Sequence, residues 1–265
     1  MAAKRAQSKG QRSGGTLRLH GKVAVVTGGS RGIGYAIART LAGEGCSVVI
    51  TGRDPVTLKK SAAQIRKSVS TQRKPPQIVS QVCDVRDPEA VDALFAEVKN
   101  RFGELDILVN NAGISQAPTP VPETSVEMWR NMLDTNLTSV FLCARAALPL
   151  MSAGATIINN ISAAAKQVFP TFSAYTAAKH GVYGFTLALR EELIPRGIRV
   201  TALMPGATAT EIWQQIMPDA PREQMINVEN IAQAVLYAVL LPPEANLSEL
   251  LVLPTCGSIG AKSSD

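Results

Sequence analysis

The chain has 265 residues, 46% of them hydrophobic and 5% aromatic, and it carries a formal net charge of +6. The hydrophobic share excludes a largely disordered chain, and the length suits one α/β core. No apolar run approaches the roughly 18–20 residues that span a bilayer. We therefore expect no membrane insertion. No basic stripe crosses residues 19–265, so we expect no nucleic-acid binding either.

The positive charge is concentrated at the N-terminus. Residues 1–18 contain five basic residues and no acidic one. We predict a basic, disordered tail over 1–18 and a single domain over 19–265. An arm for polyanions and an organelle-import segment are the alternatives for the tail. The tail lacks the apolar core of a secretory signal, so we expect a cytoplasmic location.

The possible metal ligands are scattered along the chain. Cysteines occur at Cys46, Cys83, Cys143 and Cys256, and histidines at His20 and His180. No two cysteines have the Cys-x-x-Cys spacing, so no metal site is expected. Free thiols of this kind fit a reducing compartment.

Short runs of apolar, β-branched residues alternate with helical stretches. Strands are predicted at 22–27, 47–51, 77–82, 106–110, 156–160, 198–203 and 249–253, and helices at 31–43, 54–70, 87–102, 125–151, 173–194 and 229–240. Strands that are apolar throughout are typical of parallel sheets buried on both faces. The alternation predicts an α/β fold, a Rossmann-type doubly wound parallel sheet of about seven strands with helices on both faces. Ligands then bind at the carboxyl edge of the strands.

Two longer loops follow strands at this edge. Residues 115–124 contain three prolines, and residues 207–227 contain a short helical piece around Trp213 followed by Pro218 and Pro221. The second loop exceeds the usual length of a connection. We therefore predict a lid at about 207–227, and a plain connector is the alternative.

A glycine-rich turn, Thr27-Gly-Gly-Ser-Arg-Gly-Ile-Gly34, joins the first strand to the first helix. Glycines allow a tight turn and a close backbone approach to a pyrophosphate, and the helix N-terminus supplies amide donors and a positive dipole. The position between a strand and a helix favours a dinucleotide site over a glycine turn without a ligand.

Tyr175 and Lys179 are four residues apart in a predicted helix. Residues i and i+4 share a helix face, so we expect the ammonium near the phenol. A nearby cation stabilises phenolate, so the pKa of Tyr175 should fall from about 10 toward neutrality. A tyrosine with such a pKa can act as a general acid and base. The spacing by itself also occurs by chance.

Together these residues resemble the short-chain dehydrogenase/reductase family, in its single-domain branch, over nearly the whole chain. The family pattern T-G-x-x-x-G-x-G is matched by Thr27, Gly28, Gly32 and Gly34. The remaining motifs follow in family order: N-N-A-G at 110–113, an asparagine at Asn136, a serine at Ser162, Tyr175 with Lys179, and P-G-x-x-x-T at Pro205, Gly206 and Thr210.

The resemblance implies a role for each matched residue. Tyr175 would protonate a carbonyl oxygen, Ser162 would hydrogen-bond that oxygen, and Lys179 would hold the nicotinamide ribose. Asn136 would anchor a water in a proton relay. Asp84 and Val85 would meet the adenine, Asn111 its ribose, and Thr208 and Thr210 the carboxamide. The full set expected at the cofactor is Gly28, Ser30, Arg31, Gly32, Ile33, Gly34, Arg53, Asp84, Val85, Asn111, Ala112, Gly113, Tyr175, Lys179, Pro205, Gly206, Thr208 and Thr210.

The end of the second predicted strand favours NADP(H) over NAD(H). A site for NAD(H) normally presents an acid there, whereas this chain has Arg53. Arg31 also lies in the glycine turn, and two guanidinium groups suit the 2′-phosphate of NADP(H). An ion pair between Arg53 and Asp54 is the alternative.

The expected activity is the NADP(H)-dependent interconversion of a ketone and a secondary alcohol. A catalytically idle NADP(H)-binding sensor or scaffold and an isomerase or epimerase are the alternatives. Trp213 and Met217 share a helical face of the lid and, with Ser162 and Tyr175, are expected to contact the substrate. No Arg or Lys lies at 207–220, and Arg222 is the first beyond it, so neutral, apolar substrates are favoured.

A stripe of small residues on the helix that carries Tyr175 bears on assembly. Ala177, Gly181, Gly184 and Ala188 permit close helix packing. This packing could be against the protein's own sheet or against a second subunit. The family resemblance implies a homo-oligomer, a tetramer or a dimer.

Overall fold

Seven short runs, most of them rich in Val, Ile and Leu, form one parallel sheet in the part of the chain that the computed structural model describes, residues 17–257. They are β1 (Val23–Val26), β2 (Ser47–Gly52), β3 (Ile78–Val82), β4 (Ile107–Asn110), β5 (Thr156–Asn160), β6 (Arg199–Pro205) and β7 (Glu249–Val252). Their order across the sheet is β3-β2-β1-β4-β5-β6-β7. The order reverses at β1, which pairs with both β2 and β4, and this leaves a crevice at the carboxyl ends.

Helices cover both faces of the sheet. They are α1 (Gly32–Gly43), α2 (Pro55–Val69), α3 (Pro88–Phe102), α4 (Val126–Leu133), α5 (Ser139–Ala147), α6 (Ser173–Leu193), α7 (Trp213–Ile216) and α8 (Val228–Val239). α1, α2 and α8 enclose one core, and α3, α5 and the end of α6 enclose the other. Successive residues of a strand point to opposite faces, so Val26 lies in the first core and Val25 in the second. The predicted Rossmann-type fold is confirmed.

The single helix predicted over 125–151 is wrong in detail. α4 is followed by a π-helical turn, Asp134–Thr138, before α5 begins, and a 3₁₀ turn, Leu148–Leu150, ends the segment. A proline ring cannot continue the helical hydrogen bonds, so Pro149 coincides with this end. The π-turn carries Asn136, whose side chain is buried. Such turns often occur at functional sites.

Two residues that we assign to the N-terminal tail, Leu17 and Arg18, lie against the domain. Arg18, assigned to the tail, forms a salt bridge of 2.6 Å with Glu44, and Leu17 packs beside Gly45. These two residues therefore contact the domain. The rest of the predicted tail, 1–16, lies outside the described residues.

Backbone hydrogen bonds join the two ends of the loop that we predict to be a lid. The N–H of Ala209 donates to the carbonyl of Ile226, and the N–H of Ile226 donates to the carbonyl of Ala207, both at 2.9 Å. Between these ends lie α7 and a 3₁₀ turn, Arg222–Gln224. These two hydrogen bonds hold the beginning and the end of the loop together, and the residues between them form the predicted lid.

No helix within residues 17–257 has the length and apolar character needed to cross a membrane. The same part of the chain contains no cluster of three or more His, Cys, Asp or Glu side chains suited to a metal ion. Cys46, Cys83 and Cys143 are buried, and burial raises the pKa of each thiol, that of Cys83 to about 11. Thiols with such pKa values stay protonated near neutral pH and are poor nucleophiles.

Candidate active site

A cavity of about 1190 Å³ opens at the carboxyl edge of the sheet. Every site residue predicted from the sequence lines it except Gly34. A Cβ atom on Gly34 would lie 2.4 Å from the carbonyl oxygen of Gly28. The absence of a side chain at Gly34 therefore lets α1 begin directly against the turn. Gly34 itself does not line the cavity.

The glycine turn could not be built from larger residues. Gly28 has a φ of +62° and Gly32 a φ of +56°, in the region that favours glycine. A Cβ atom on Gly28 would also lie 3.0 Å from Cα of Ala112. The Oγ1 of Thr27 accepts hydrogen bonds from the N–H groups of Asn111 and Ala112 at 2.9 and 3.0 Å. The turn and the N-N-A-G segment thus form one rigid cradle.

The predicted 2′-phosphate end of the cavity contains Arg31, Arg53 and Asp84. Asp54 does not pair with Arg53. Its carboxylate caps α2 by accepting from the N–H groups of Val56 and Thr57. Among the described residues Arg53 has no ion-pair partner, which removes the alternative that its charge is already neutralised.

Sequence reasoning missed two partners at this end. Asp84 accepts from Arg86, with 2.6 Å between Oδ2 and Nη2, and this contact holds the pKa of the carboxyl below its usual value. Arg31 lies 3.4 Å from Glu211 of the predicted lid. Arg86 follows Asp84 by two residues and could have been found from the sequence, whereas Glu211 is 180 residues from Arg31.

Ser162, Tyr175 and Lys179 meet in the middle of the cavity lining. Tyr175 and Lys179 lie one turn apart on α6, with Lys179 Nζ 5.5 Å from the centre of the Tyr175 ring. The Tyr175 phenol is hydrogen-bonded to Ser162. Lys179 Nζ donates to the carbonyl oxygen of Asn160 at 3.2 Å. The helix spacing therefore places Lys179 beside Tyr175, and the segment after β5 brings Ser162 to the Tyr175 phenol.

Ser162 occupies a strained backbone position. Its φ is +119°, which non-glycine residues rarely adopt. Its Oγ accepts from the N–H of Ala164 at 3.2 Å. A strain of about 1–3 kcal/mol is typical of residues held in place for a function.

The pKa of Tyr175 does not follow the prediction. Burial raises it above the usual value, and the hydrogen bond with Ser162 only partly opposes this effect. Burial also lowers the pKa of Lys179 from 10.5 to about 8. Removing both groups from water disfavours the charged form of each, so desolvation outweighs their mutual attraction.

Lys179→Met is expected to stabilise the fold near pH 7. A folded pKa of about 8 against 10.5 corresponds to about 3 kcal/mol of penalty on the ammonium, fully present below pH 8 and lost by pH 10.5. The lost bond to Asn160 offsets about 1 kcal/mol. A rise in Tm of roughly 5 °C near pH 7, shrinking toward pH 10, should appear in calorimetry. A lower Tm at neutral pH would mean that Lys179 gains more from its contacts than burial costs.

Asn136 and Lys179 face each other across Gly113. A Cβ atom on Gly113 would lie 2.7 Å from Asn136 Oδ1 and 3.7 Å from Lys179 Nζ. Asn136 is held from both ends, since Oδ1 accepts from the N–H of Ile114 and Nδ2 donates to the carbonyl of Met132. The missing side chain at Gly113 therefore leaves space between the two polar groups that a Cβ atom would fill.

Asn160 is a second residue that sequence reasoning missed. Its carbonyl accepts from Lys179, and its Nδ2 donates to Asn111 Oδ1 at 2.9 Å. Asn111 Nδ2 donates in turn to the carbonyl of Thr27 at 3.0 Å. A polar chain thus connects Lys179 to the glycine turn. The signal in the sequence that could have identified Asn160 was the pair of asparagines, Asn159 and Asn160, that ends β5.

Apolar side chains surround the remainder of the cavity. Trp213 and Met217 line it, as predicted, and Trp213 Nε1 donates to the carbonyl of Thr208 at 2.9 Å. The segment between Ser162 and Tyr175 supplies a second wall that the sequence did not reveal. Its members in the lining are Gln167, Val168, Phe169, Pro170 and Phe172.

Comparisons with known proteins agree with this geometry. A family model described as short chain dehydrogenase matches residues 22–221. The chain is similar to a 3beta-hydroxysteroid dehydrogenase of Mediterraneibacter gnavus, 37% identical over 76% of this chain and 71% of that one. It is also similar to sulfoacetaldehyde reductase 2 of Chromohalobacter salexigens, 33% identical over 88% of this chain and 94% of that one.

A solved structure extends the likeness to three dimensions. The crystal structure of a metagenomic short-chain oxidoreductase in complex with NADP superposes with a TM-score of 0.76 at 33% identity, covering 90% of this chain and 99% of that one. The sheet order, the glycine turn and the Ser162–Tyr175–Lys179 cluster all agree with the family match. The chain therefore belongs to the short-chain dehydrogenase/reductase family.

Proposed function

We propose that the protein is an NADP(H)-dependent oxidoreductase that interconverts a ketone and a secondary alcohol. The observation that carries the proposal is the cluster of Ser162, Tyr175 and Lys179 in the lining of the large cavity. A protein that only sensed NADP(H) or served as a scaffold would have no need of a phenol, a hydroxyl and an amine gathered in the lining of one cavity.

The remaining lining fits the cofactor. The cradle of Gly28, Gly32 and Ala112 leaves room at the turn that side chains would fill. Thr51 Oγ1, at the end of β2, is buried without a hydrogen-bond partner among the described residues. The similar metagenomic enzyme was crystallised with NADP, which supports the same choice here. We assign Thr208 and Thr210 to the carboxamide and Asn111, Asp84 and Val85 to the adenosine.

NADPH would supply the hydride when bound. Tyr175 Oη then gives its proton to the carbonyl oxygen, and Ser162 hydrogen-bonds that oxygen. The raised pKa of Tyr175 keeps the phenol protonated at neutral pH, which suits reduction. Lys179, with a pKa of about 8, is mainly cationic near pH 7 and stabilises the phenolate that is left. A water between Asn136 and Lys179 would return the proton.

A screen of carbonyl compounds with NADPH and NADH tests the proposal. Loss of NADPH absorbance with formation of an alcohol supports it. Tight NADPH binding without turnover of any carbonyl would favour the idle sensor or scaffold. Conversion of a substrate without net change in the cofactor would favour an isomerase or epimerase.

We further propose a neutral, largely apolar substrate. Phe169, Phe172, Trp213 and Met217 line the same cavity as Tyr175, and none of its lining residues between 207 and 257 is basic. Arg222, the cation considered from the sequence, is not among the lining residues. An anionic substrate such as that named for the sulfoacetaldehyde reductase would have Lys179 as its partner, since the other basic residues of the lining, Arg31 and Arg53, are assigned to the 2′-phosphate of the cofactor.

Trp213→Ala is expected to raise KM for bulky ketones about tenfold, since losing about 50 Å² of apolar contact costs about 1.3 kcal/mol. NADPH affinity should stay within about threefold. Trp213→Phe keeps a ring in place and should show a smaller effect. Trp129→Ala, on α4 and outside the lining, is the matched control. Unchanged kinetics across a size series of ketones would contradict this role of the lid.

We also propose a homo-oligomer in the cytoplasm. The stripe of small residues on α6 has two different surroundings. A Cβ on Gly181 would meet Leu137 of the same chain at 2.8 Å, whereas a Cβ on Gly184 would meet nothing within 4 Å. Phe141 and Leu187 are exposed on α5 and α6. Apolar groups of this size on neighbouring helices favour a second subunit, which analytical ultracentrifugation would detect.

A further inference from the structure

An ion pair joins the glycine turn to the start of the predicted lid. Arg31 Nη1 and Glu211 Oε2 are 3.4 Å apart, and both side chains line the cavity. The residues next to this pair are also close together, because Thr210 Cγ2 lies 3.3 Å from the position that a Cβ on Gly32 would occupy. Glu211 therefore sits beside Arg31 as a consequence of how the lid leaves the sheet.

The two guanidinium groups assigned to the 2′-phosphate differ in their ion-pair partners. Arg53 has no ion-pair partner among the described residues, whereas Arg31 already has a carboxylate. The nearby Asp84 forms its ion pair with Arg86, at 2.6 Å, and not with Arg31. Glu211 is thus the carboxylate against which a phosphate must compete for Arg31.

We propose that Glu211 competes with the 2′-phosphate of the cofactor for Arg31 and so limits how strongly the protein prefers NADP(H) to NAD(H). The inference rests on the proposed function, which places the 2′-phosphate between Arg31 and Arg53. A phosphate that takes Arg31 must break its pair with Glu211. A cofactor without the 2′-phosphate leaves the pair intact, so only NADP(H) binding is weakened.

The expected effect is modest because the pair is exposed. The side chains of Arg31 and Glu211 are 67% and 66% exposed. Exposed pairs contribute little in water, and removing Glu211 should tighten binding of a 2′-phosphate about two- to fivefold. Salt screens exposed charges, so the gain should shrink at high ionic strength.

Calorimetric titration of the full chain at low ionic strength tests the inference. The probes are adenosine 2′,5′-bisphosphate and adenosine 5′-monophosphate. Glu211→Gln should bind the bisphosphate about two- to fivefold more tightly and the monophosphate unchanged. Glu229→Gln is the matched control, because it removes the carboxylate of another exposed pair, Arg39–Glu229, which joins α1 to α8. In an Arg31→Ala background, Glu211→Gln should have no effect.

Each other outcome overturns the inference in a different way. Equal binding of the two probes by the wild-type protein would remove the proposed 2′-phosphate site, and with it the competition. A wild-type preference for the bisphosphate that Glu211→Gln does not increase would leave the cofactor assignment standing and reject the competition alone. An undiminished gain in the Arg31→Ala background would show that Glu211 acts by direct repulsion and not through Arg31.

Discussion

Tyr175→Phe is expected to lower kcat by about 10²- to 10⁴-fold and to leave NADPH affinity nearly unchanged. The substitution removes only the phenol oxygen, which hydrogen-bonds to Ser162 and is the proposed proton donor. The ring stays packed above Lys179, whose amine lies 5.5 Å from the ring centre. Steady-state kinetics with a ketone found in the screen, together with NADPH titration by fluorescence, would measure the two effects separately.

A second tyrosine on the same helix provides the control. Tyr183 donates to Glu249 and lies outside the cavity lining, so Tyr183→Phe should retain wild-type turnover. Residual activity of Tyr175→Phe above about one per cent would assign the acid to another group. A large loss of NADPH affinity would indicate that the phenol oxygen itself holds the cofactor.

Arg53→Ala is expected to weaken NADPH binding about 10- to 150-fold, since a hydrogen bond to a charged group contributes about 1.5–3 kcal/mol. NADH binding should change little, because NADH has no 2′-phosphate. The structure strengthens this expectation, since Asp54 caps α2 and leaves the guanidinium of Arg53 without an ion-pair partner in the described part of the chain. Kd values for both cofactors by fluorescence titration would provide the measurement.

Arg145→Ala is the matched control for Arg53. Arg145 is a half-exposed arginine on α5, paired with Asp92 and absent from the cavity lining, so its removal should leave both Kd values unchanged. A wild-type kcat/KM with NADH that equals or exceeds the value with NADPH would contradict the cofactor assignment. Parallel losses for both cofactors in Arg53→Ala would instead point to a role in holding the shared adenosine.

Much of the fold was predictable because its signals are local. Apolar runs of four to seven residues such as Val23–Val26 predict buried strands, and the switch to helical periodicity predicts the elements between them. The glycine turn and the four-residue spacing of Tyr175 and Lys179 depend only on backbone geometry, and Gly28, Gly32, Tyr175 and Lys179 all line the cavity. The parallel topology then brings the strand ends together at one edge.

The rest required the tertiary structure, because it depends on residues far apart in the chain. The pKa of Tyr175 rises, contrary to the prediction from its neighbour Lys179, since desolvation depends on everything that surrounds the phenol. The pairing of Arg31 with Glu211 depends on where the lid begins. The sequence by itself predicted the glycine turn and the set of Ser162, Tyr175 and Lys179, all three of which line the cavity. Only the packed structure decided their charge states and partners, because burial and proximity belong to the whole fold and not to any one segment.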